Sequence, residues 1–267
     1  MCVTCGCSDK EKITVADKDT GNVKMMSHDK AHADGHAHSH GAAAVAAKMH
    51  STTIELEREI LGKNQLIAEH NRGWFAEKNI LALNLVSSPG SGKTTLLETT
   101  LNDLKNEFEI SVIEGDQETI NDAERIRSTG CKAVQINTGT GCHLEAEMLA
   151  KGLEILKPEN DSILFIENVG NLVCPAMFDL GERAKVAILS VTEGEDKPLK
   201  YPHMFRASQL MILNKIDLLP YVKFDVEKCI AYAKEVNPNI EILQVSATTG
   251  EGINEWYAKL KQMREKI

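Results

Sequence analysis

Leu83-Asn84-Leu85-Val86-Ser87-Ser88-Pro89-Gly90-Ser91-Gly92-Lys93-Thr94-Thr95 is the stretch that decides the fold. A buried-strand pattern runs directly into a glycine-rich turn that closes on Lys-Thr-Thr, which is the strand–loop–helix context a phosphate-binding loop requires. Backbone N–H groups of the turn can converge on a β-phosphate, glycine permits the close approach, and the next helix aims its positive dipole end at the anion. Gly90, Ser91, Gly92, Lys93, Thr94 and Thr95 are therefore expected to hold nucleotide. Lys93 would bridge the β- and γ-phosphates, and the Thr94 hydroxyl would ligate Mg2+. One departure stands out: such motifs usually open on glycine five residues before Gly92, and this chain has Ser87 there. The bland alternative is a glycine-rich turn ahead of an ordinary core helix.

Outward from this loop, strand-like and helix-like runs alternate, as expected of a parallel sheet covered by helices. Strands are expected at 80–86, 110–114, 132–136, 162–166, 186–191, 210–213 and 240–245, and helices at 94–106, 118–129, 144–156, 226–236 and 253–266. The fold class is α/β: a P-loop nucleotide-binding domain with a mostly parallel sheet and helices on both faces. Residues 79–267 form this domain. Residues 51–78 read as a helix, with Ile54, Leu61, Leu66, Ile67, Trp74 and Phe75 at roughly helical spacing interrupted by Gly62. That helix packs on the domain or meets a partner.

Leu210-Met211-Ile212-Leu213-Asn214-Lys215-Ile216-Asp217 is an apolar strand ending in Asn-Lys-x-Asp. It resembles the guanine-specificity motif of GTPases. Asp217 would accept from the guanine N1–H and exocyclic amine, Asn214 would hold the loop or contact the base edge, and the Lys215 stem would cover the ring. Ser246-Ala247 follows the next apolar strand and resembles the second base-contacting loop. The nucleotide expected is GTP.

Two acidic loops lie between these motifs. Asp116, in Glu114-Gly115-Asp116, is expected to orient water or enter the metal shell, and Glu167, in Glu167-Asn168-Val169-Gly170, to hold the magnesium shell. With Lys93 they are the expected catalytic residues. Either acid could instead cap a helix. Gly170 would let a backbone N–H sense the γ-phosphate.

Residues 1–50 differ from the rest. They carry Cys2, Cys5 and Cys7 and six of the nine histidines (His28, His32, His36, His38, His40 and His50), with few large apolar side chains. Such an extension should be mobile unless a metal orders it. Three thiolates around Gly6 suit a metal, with Ni(II) favoured if the terminal amine is the fourth donor; the rival is a redox dithiol. Farther on, Cys142-His143 offers two borderline-soft donors and Cys174 a third, unless they are small buried residues and a capping histidine. The net charge of −9 argues against nucleic acid, and no apolar run of membrane-spanning length or secretory signal is evident. The expected location is the cytoplasm.

Assembled, these motifs resemble the HypB family of hydrogenase maturation GTPases, and the match extends through nearly all of the chain outside the His-rich stretch. The resemblance implies a GTP-hydrolysing nickel carrier that forms nucleotide- or metal-dependent homodimers. Such a carrier works with a HypA-type accessory protein and delivers nickel to the large subunit of [NiFe]-hydrogenase. It also implies that Cys2, Cys5 and Cys7 form a tight Ni2+ site found in some members, and that Cys142, His143 and Cys174 form a Ni2+ or Zn2+ site on the nucleotide domain. Competing readings are the related urease accessory GTPase, a small-molecule kinase, and a nickel store with a regulatory nucleotide domain.

Overall fold

A computed structural model of the chain describes residues 14–16, 23–25, 41–116, 121–139 and 141–267. The chain divides into two units, Met1–Ile60 and Leu61–Ile267. In the first, β1 (Thr14–Ala16) and β2 (Val23–Met25) pair antiparallel, with Val15 opposite Lys24. Helix α1 (Gly41–Glu77) starts in this unit and ends in the second. It begins ten residues before the expected 51, because the alanines between Gly41 and Lys48 are strong helix formers.

The second unit continues with β3 (Leu81–Ser87), α2 (Lys93–Leu104), β4 (Ile110–Asp116), α3 (Asn121–Ser128), β5 (Lys132–Asn137), α4 (Ala146–Leu156) and β6 (Ile163–Glu167). It then runs through α5 (Cys174–Met177), β7 (Ala184–Ser190), α6 (Lys197–Lys200), α7 (Pro202–Ala207) and β8 (Leu210–Asn214). A 3-10 turn (Ile216–Tyr221), α8 (Val226–Val236), β9 (Glu241–Gln244) and α9 (Ile253–Arg264) complete it. The seven strands lie in the order β5-β4-β6-β3-β7-β8-β9, and every pairing is parallel.

Strand period sorts the core into two layers. Leu81, Leu83 and Leu85 of β3 join Phe165, Val186 and Ile212 beneath α2 and α9, where Leu97, Leu101, Trp256 and Leu260 are buried. On the opposite face Ala82, Ile113, Leu164 and Ile166 pack with Phe75, Leu149 and Leu153 of α1 and α4. Val86, Leu189 and Leu213 pack there with Phe205 of α7 and Cys229 of α8. Both faces of the central strands are covered, so these strands read as nearly continuous apolar runs, whereas the edge strands β5 and β9 are partly exposed.

All seven expected strands are present within a few residues of their expected ends, and "mostly parallel" becomes wholly parallel. The short helices α5, α6 and α7 were not expected. Each is only four to six residues long with proline in its first two positions, too short for a periodic signal.

The packed face of α1 also differs from the apolar spacing. Leu66 is 71% exposed, whereas Asn64, Ala68, Asn71 and Phe75 are buried. The Asn64 side chain donates to the Asp179 carbonyl and accepts from Ala146 N–H. Asn71 donates to the carbonyls of Ala146 and Leu180. Polar residues thus occupy a helix face that turns toward the start of α4. Among the described residues, no helix is long and apolar enough to cross a membrane.

The strand order turns at β3. The chain leaves β3 for β4 on one side, and β7 later opens the other. Loops at the carboxyl ends of β3, β4 and β6 therefore meet at one crevice, where open α/β sheets place their ligands.

Candidate functional site

That crevice is a cleft of about 520 Å³ lined by 87–95, 114–116, 167–170, Arg125 and Lys215. Gly92 stands at φ 90° just before α2, and a β-carbon there would lie 2.5 Å from the Asn214 amide nitrogen. Only glycine fits the turn, which leaves the amino end of α2 bare toward the cleft. Lys93 Nζ donates to Glu167 Oε1 at 2.8 Å, and Thr94 Oγ1 donates to the same oxygen at 2.6 Å. Glu167 is buried, and its other carboxylate oxygen has no hydrogen-bond partner.

These groups fit a hydrated magnesium ion. A hydroxyl and a carboxylate stand side by side next to a phosphate-binding turn, with one carboxylate oxygen still uncommitted. Asp116 closes β4 on the same cleft, two residues beyond Glu114, which pairs in register with Glu167. The residues following it, 117–120, lie outside the described residues.

The base side is fastened to the phosphate loop. Asn214 is buried; its amide donates to the Ser91 carbonyl at 3.0 Å, and its oxygen accepts from Ala247 N–H at 3.2 Å. Asn214 thus ties the phosphate loop to the Ser246–Ala247 loop, one of the two roles open to it. Lys215, at φ 63°, sends Nζ to the Gly90 carbonyl at 2.6 Å. Asp217 Oδ1 accepts from Ser246 Oγ at 2.5 Å, so the two base-side motifs touch.

A donor cluster lies behind Gly170. The ligand atoms of Cys142, His143 and Cys174 are all within 4.8 Å of one another. The two sulfurs stand 3.0 Å apart, and neither is in a disulfide. The His143 ring lies 3.9 Å from that of Phe178, and burial pushes its pKa down to about 4, so it is neutral and able to ligate. Its Nε2 is buried without a hydrogen-bond partner. Two thiols and a neutral imidazole suit Zn2+ or Ni2+. The expected grouping of these three residues is therefore a spatial one, and the burial of His143 and Cys174 is compatible with metal binding. Cys229, by contrast, is buried among apolar side chains, and burial raises its thiol to about 12.

Gly170 joins the two halves. A β-carbon on it would meet Pro89 at 3.2 Å, so the phosphate loop and the Glu167–Gly170 segment are in contact. Cys2, Cys5, Cys7, His28, His32, His36, His38 and His40 lie outside the described residues, as does the side chain of His50.

Several residues at the site escaped sequence reading. Arg125 of α3 reaches the cleft, donating to Glu98 at 2.7 Å and to Thr95 Oγ1 at 3.4 Å. Asn168 and Asn171 hydrogen-bond the Cys142 loop, and Phe178 stacks on His143. No motif marks these residues. The one available hint was Asn84, an amide inside an otherwise apolar strand, which needs a buried partner.

Comparison with known proteins agrees with this geometry. Residues 81–244 match the family model described as "CobW/HypB/UreG, nucleotide-binding domain". The chain is 52% identical over 288 aligned positions to the hydrogenase maturation factor HypB of Escherichia coli K12, covering 99% of each chain. It is 62% identical over 208 positions to that of Rhizobium leguminosarum bv. viciae, covering 78% of this chain and 70% of the relative. Among solved structures, HypB from Archaeoglobus fulgidus superimposes with TM-score 0.71 at 41% identity, over 76% of this chain and 99% of that one. HypB from Helicobacter pylori, solved in complex with nickel, gives 0.72 at 37% identity, over 76% and 96%. The chain belongs to the CobW/HypB/UreG family of nucleotide-binding proteins, among its HypB hydrogenase maturation factors.

Proposed function

We propose that this protein hydrolyses GTP with Mg2+ and uses the nucleotide state to load and release nickel for the large subunit of [NiFe]-hydrogenase. One observation carries the reading: the Cys142–His143–Cys174 cluster and the phosphate cleft share the segment 167–174. The solved relative that holds nickel makes that metal the expected cargo, with Zn2+ as its competitor.

In this reading the amides of Gly90–Lys93 and the α2 terminus receive the β-phosphate. Lys93 leaves Glu167 for the phosphates, which frees the carboxylate for the magnesium shell beside Thr94. Magnesium, when bound, neutralises charge developing on the phosphate oxygens. Asp116 orients the attacking water, and the Gly170 amide senses the γ-phosphate. Asp217, held by Ser246, selects guanine, and a backbone N–H of the loop that Ser246 and Ala247 open would meet the guanine oxygen. A shift of 167–170 moves Cys174 relative to Cys142 and His143. Three donors leave the metal incompletely enclosed, so a two-fold homodimer would complete or screen the site. Cys2, Cys5 and Cys7 would form a second, tighter nickel site, and a HypA-type protein would exchange metal with the carrier in the cytoplasm. The segmentation into a Cys/His-rich metal-binding extension 1–50, a helical 51–78 and a GTPase domain 79–267 belongs to the same proposal.

A urease client is the second reading, favoured by the 39% identical Helicobacter pylori relative described as a hydrogenase/urease maturation factor. Deleting the gene and assaying hydrogenase with and without millimolar nickel separates the two. Lost activity restored by nickel supports delivery to hydrogenase. Unaffected hydrogenase overturns that client and points to urease or nickel storage.

A further inference from the structure

Behind the cleft runs a chain of buried polar side chains whose orientation follows from hydrogen-bond chemistry alone. Glu182 is held by Lys185, and its Oε2 accepts from Leu180 N–H. A carboxylate can only accept, so the neighbouring Asn84 must present its NH2 group to it, and Asn84 Nδ2 does donate to Glu182 Oε1 at 3.1 Å. The Asn84 oxygen then faces the other way and requires a donor, which is Asn168 Nδ2 at 3.2 Å. That leaves Asn168 Oδ1 aimed at two backbone donors, Leu144 N–H at 3.1 Å and its own neighbour Val169 N–H at 3.0 Å. The amide of Asn168 therefore cannot flip without orphaning several buried groups.

The two N–H groups it joins belong to different halves of the site. Leu144 follows Cys142 and His143, whereas Val169 precedes Gly170, the residue packed on Pro89 of the phosphate loop. Asn171 repeats the arrangement from the other side. Its Nδ2 donates to the Cys142 carbonyl at 3.2 Å, and its Oδ1 accepts from Val173 N–H at 2.9 Å, one residue before Cys174. Each asparagine thus ties the Cys142 loop to the segment that links Glu167 with Cys174.

We propose that Asn168 and Asn171 form a clasp that transmits nucleotide state to the metal donors. They are positioning residues that set how far the two thiols and His143 move when the phosphate side of the segment moves. The inference rests on the reading above, that nucleotide and metal binding are coupled. Without the clasp, the shift of 167–170 is absorbed by slack in the 168–173 stretch before it reaches Cys174, so metal affinity no longer follows the nucleotide.

The test is a nickel titration of the full chain, with GDP and with a non-hydrolysable GTP analogue, read by thiolate-to-nickel charge-transfer absorbance. Cys2, Cys5 and Cys7 are replaced by serine so that only the Cys142 site reports. The ratio of the two affinities is compared among the parent, Asn171→Ala, Asn168→Ala and the remote surface control Asn160→Ala. A merely structural role would change both affinities together and leave the ratio alone. In both clasp variants the ratio is expected to fall toward one by about three- to tenfold, the worth of one such hydrogen bond. Asn160→Ala should keep the parent ratio. Linkage requires the same collapse in the metal dependence of nucleotide affinity, which gives an independent check. A parent ratio retained in folded Asn171→Ala overturns the clasp while leaving the coupling intact. A parent ratio of one overturns the coupling itself, and the clasp with it. Asn171 is only partly buried, so its variant keeps the test decisive even where Asn168→Ala fails to fold.

Discussion

Replacing Glu167 with glutamine isolates the charge that holds Lys93 before nucleotide arrives. In this structure Lys93 Nζ and Thr94 Oγ1 both donate to Glu167 Oε1, at 2.8 and 2.6 Å, with Glu167 side-chain exposure at 2% and that of Lys93 at 12%. Glutamine keeps the shape and one acceptor oxygen but leaves the ammonium without a counter-charge in a nearly dry setting. Breaking a buried pair costs about 3–5 kcal/mol. The retained oxygen and the slight exposure of Lys93 place this case nearer about 2–3 kcal/mol. In a chain of this size that lowers the melting temperature of the nucleotide-free protein by roughly 5–10 °C.

Nucleotide reverses the deficit, because Lys93 then pairs with phosphate in parent and variant alike. Glu167→Gln should therefore gain more stability from GDP than the parent does, by about the amount it lost. It should also bind GDP more tightly in the absence of magnesium, since no ion pair has to open first. Hydrolysis with magnesium should fall sharply, because the carboxylate proposed for the metal shell is gone. Thermal melts with and without GDP in EDTA, followed by single-turnover GTP cleavage, measure all three. Coincident melting curves for the two nucleotide-free proteins would refute the reasoning, for they would show that Lys93 does not depend on Glu167 in the empty site.

Three further outcomes are expected. Asp217→Asn should lose guanine affinity by about a hundredfold or more and gain preference for xanthine nucleotides, because the amide donates where the carboxylate accepted; competition of GTP and XTP for the labelled site decides it. With Cys2, Cys5 and Cys7 replaced, Cys142→Ser or Cys174→Ser should each weaken nickel binding by more than about tenfold, whereas Cys229→Ala, whose thiol burial holds protonated, should leave it unchanged in equilibrium dialysis. In the metal-free protein, burial lowers His143 from 6.5 to about 4, so folding favours its neutral form. The associated stability is fully present above pH about 6.5 and is lost as pH falls toward about 4, amounting to about 3 kcal/mol in total. Denaturant curves of the parent should show this loss relative to His143→Leu across that window, and parallel curves would contradict it.

The sheet was readable because its central strands are covered on both faces and therefore spell nearly continuous apolar runs, as in Leu81–Ser87, Ile163–Glu167 and Leu210–Asn214. The nucleotide motifs were readable because Gly92, Lys93, Asn214 and Asp217 occupy fixed offsets from strand ends. What the sequence did not disclose depends on neighbours distant along the chain. Asn64 and Asn71 count as polar in any helical pattern, yet they form the buried face of α1 by hydrogen-bonding the backbone of the α4 start and the 179–180 turn. Leu66 counts as core and is exposed. Arg125, Asn168 and Phe178 gain their roles from residues 27, 24 and 35 positions away, separations no local period records. Cys174 was joined to Cys142 and His143 by the family resemblance, because spacing alone carries no record of a proximity that the fold creates between the loops after β5 and β6.

The Asn214 fastening has a thermodynamic consequence for ligand exchange. One side chain is shared between the Ser91 carbonyl and Ala247 N–H, and Asp217 is already bound to Ser246. The base pocket is thus ordered during folding, and capture of a guanine ring carries little further loss of chain entropy. Discrimination between bases then depends on which edge matches a fixed template, with little contribution from loop closure. Under the proposed function, GDP release would be limited by breaking contacts to the ligand itself, and loosening Asn214 from the phosphate loop would be the most direct way to speed it.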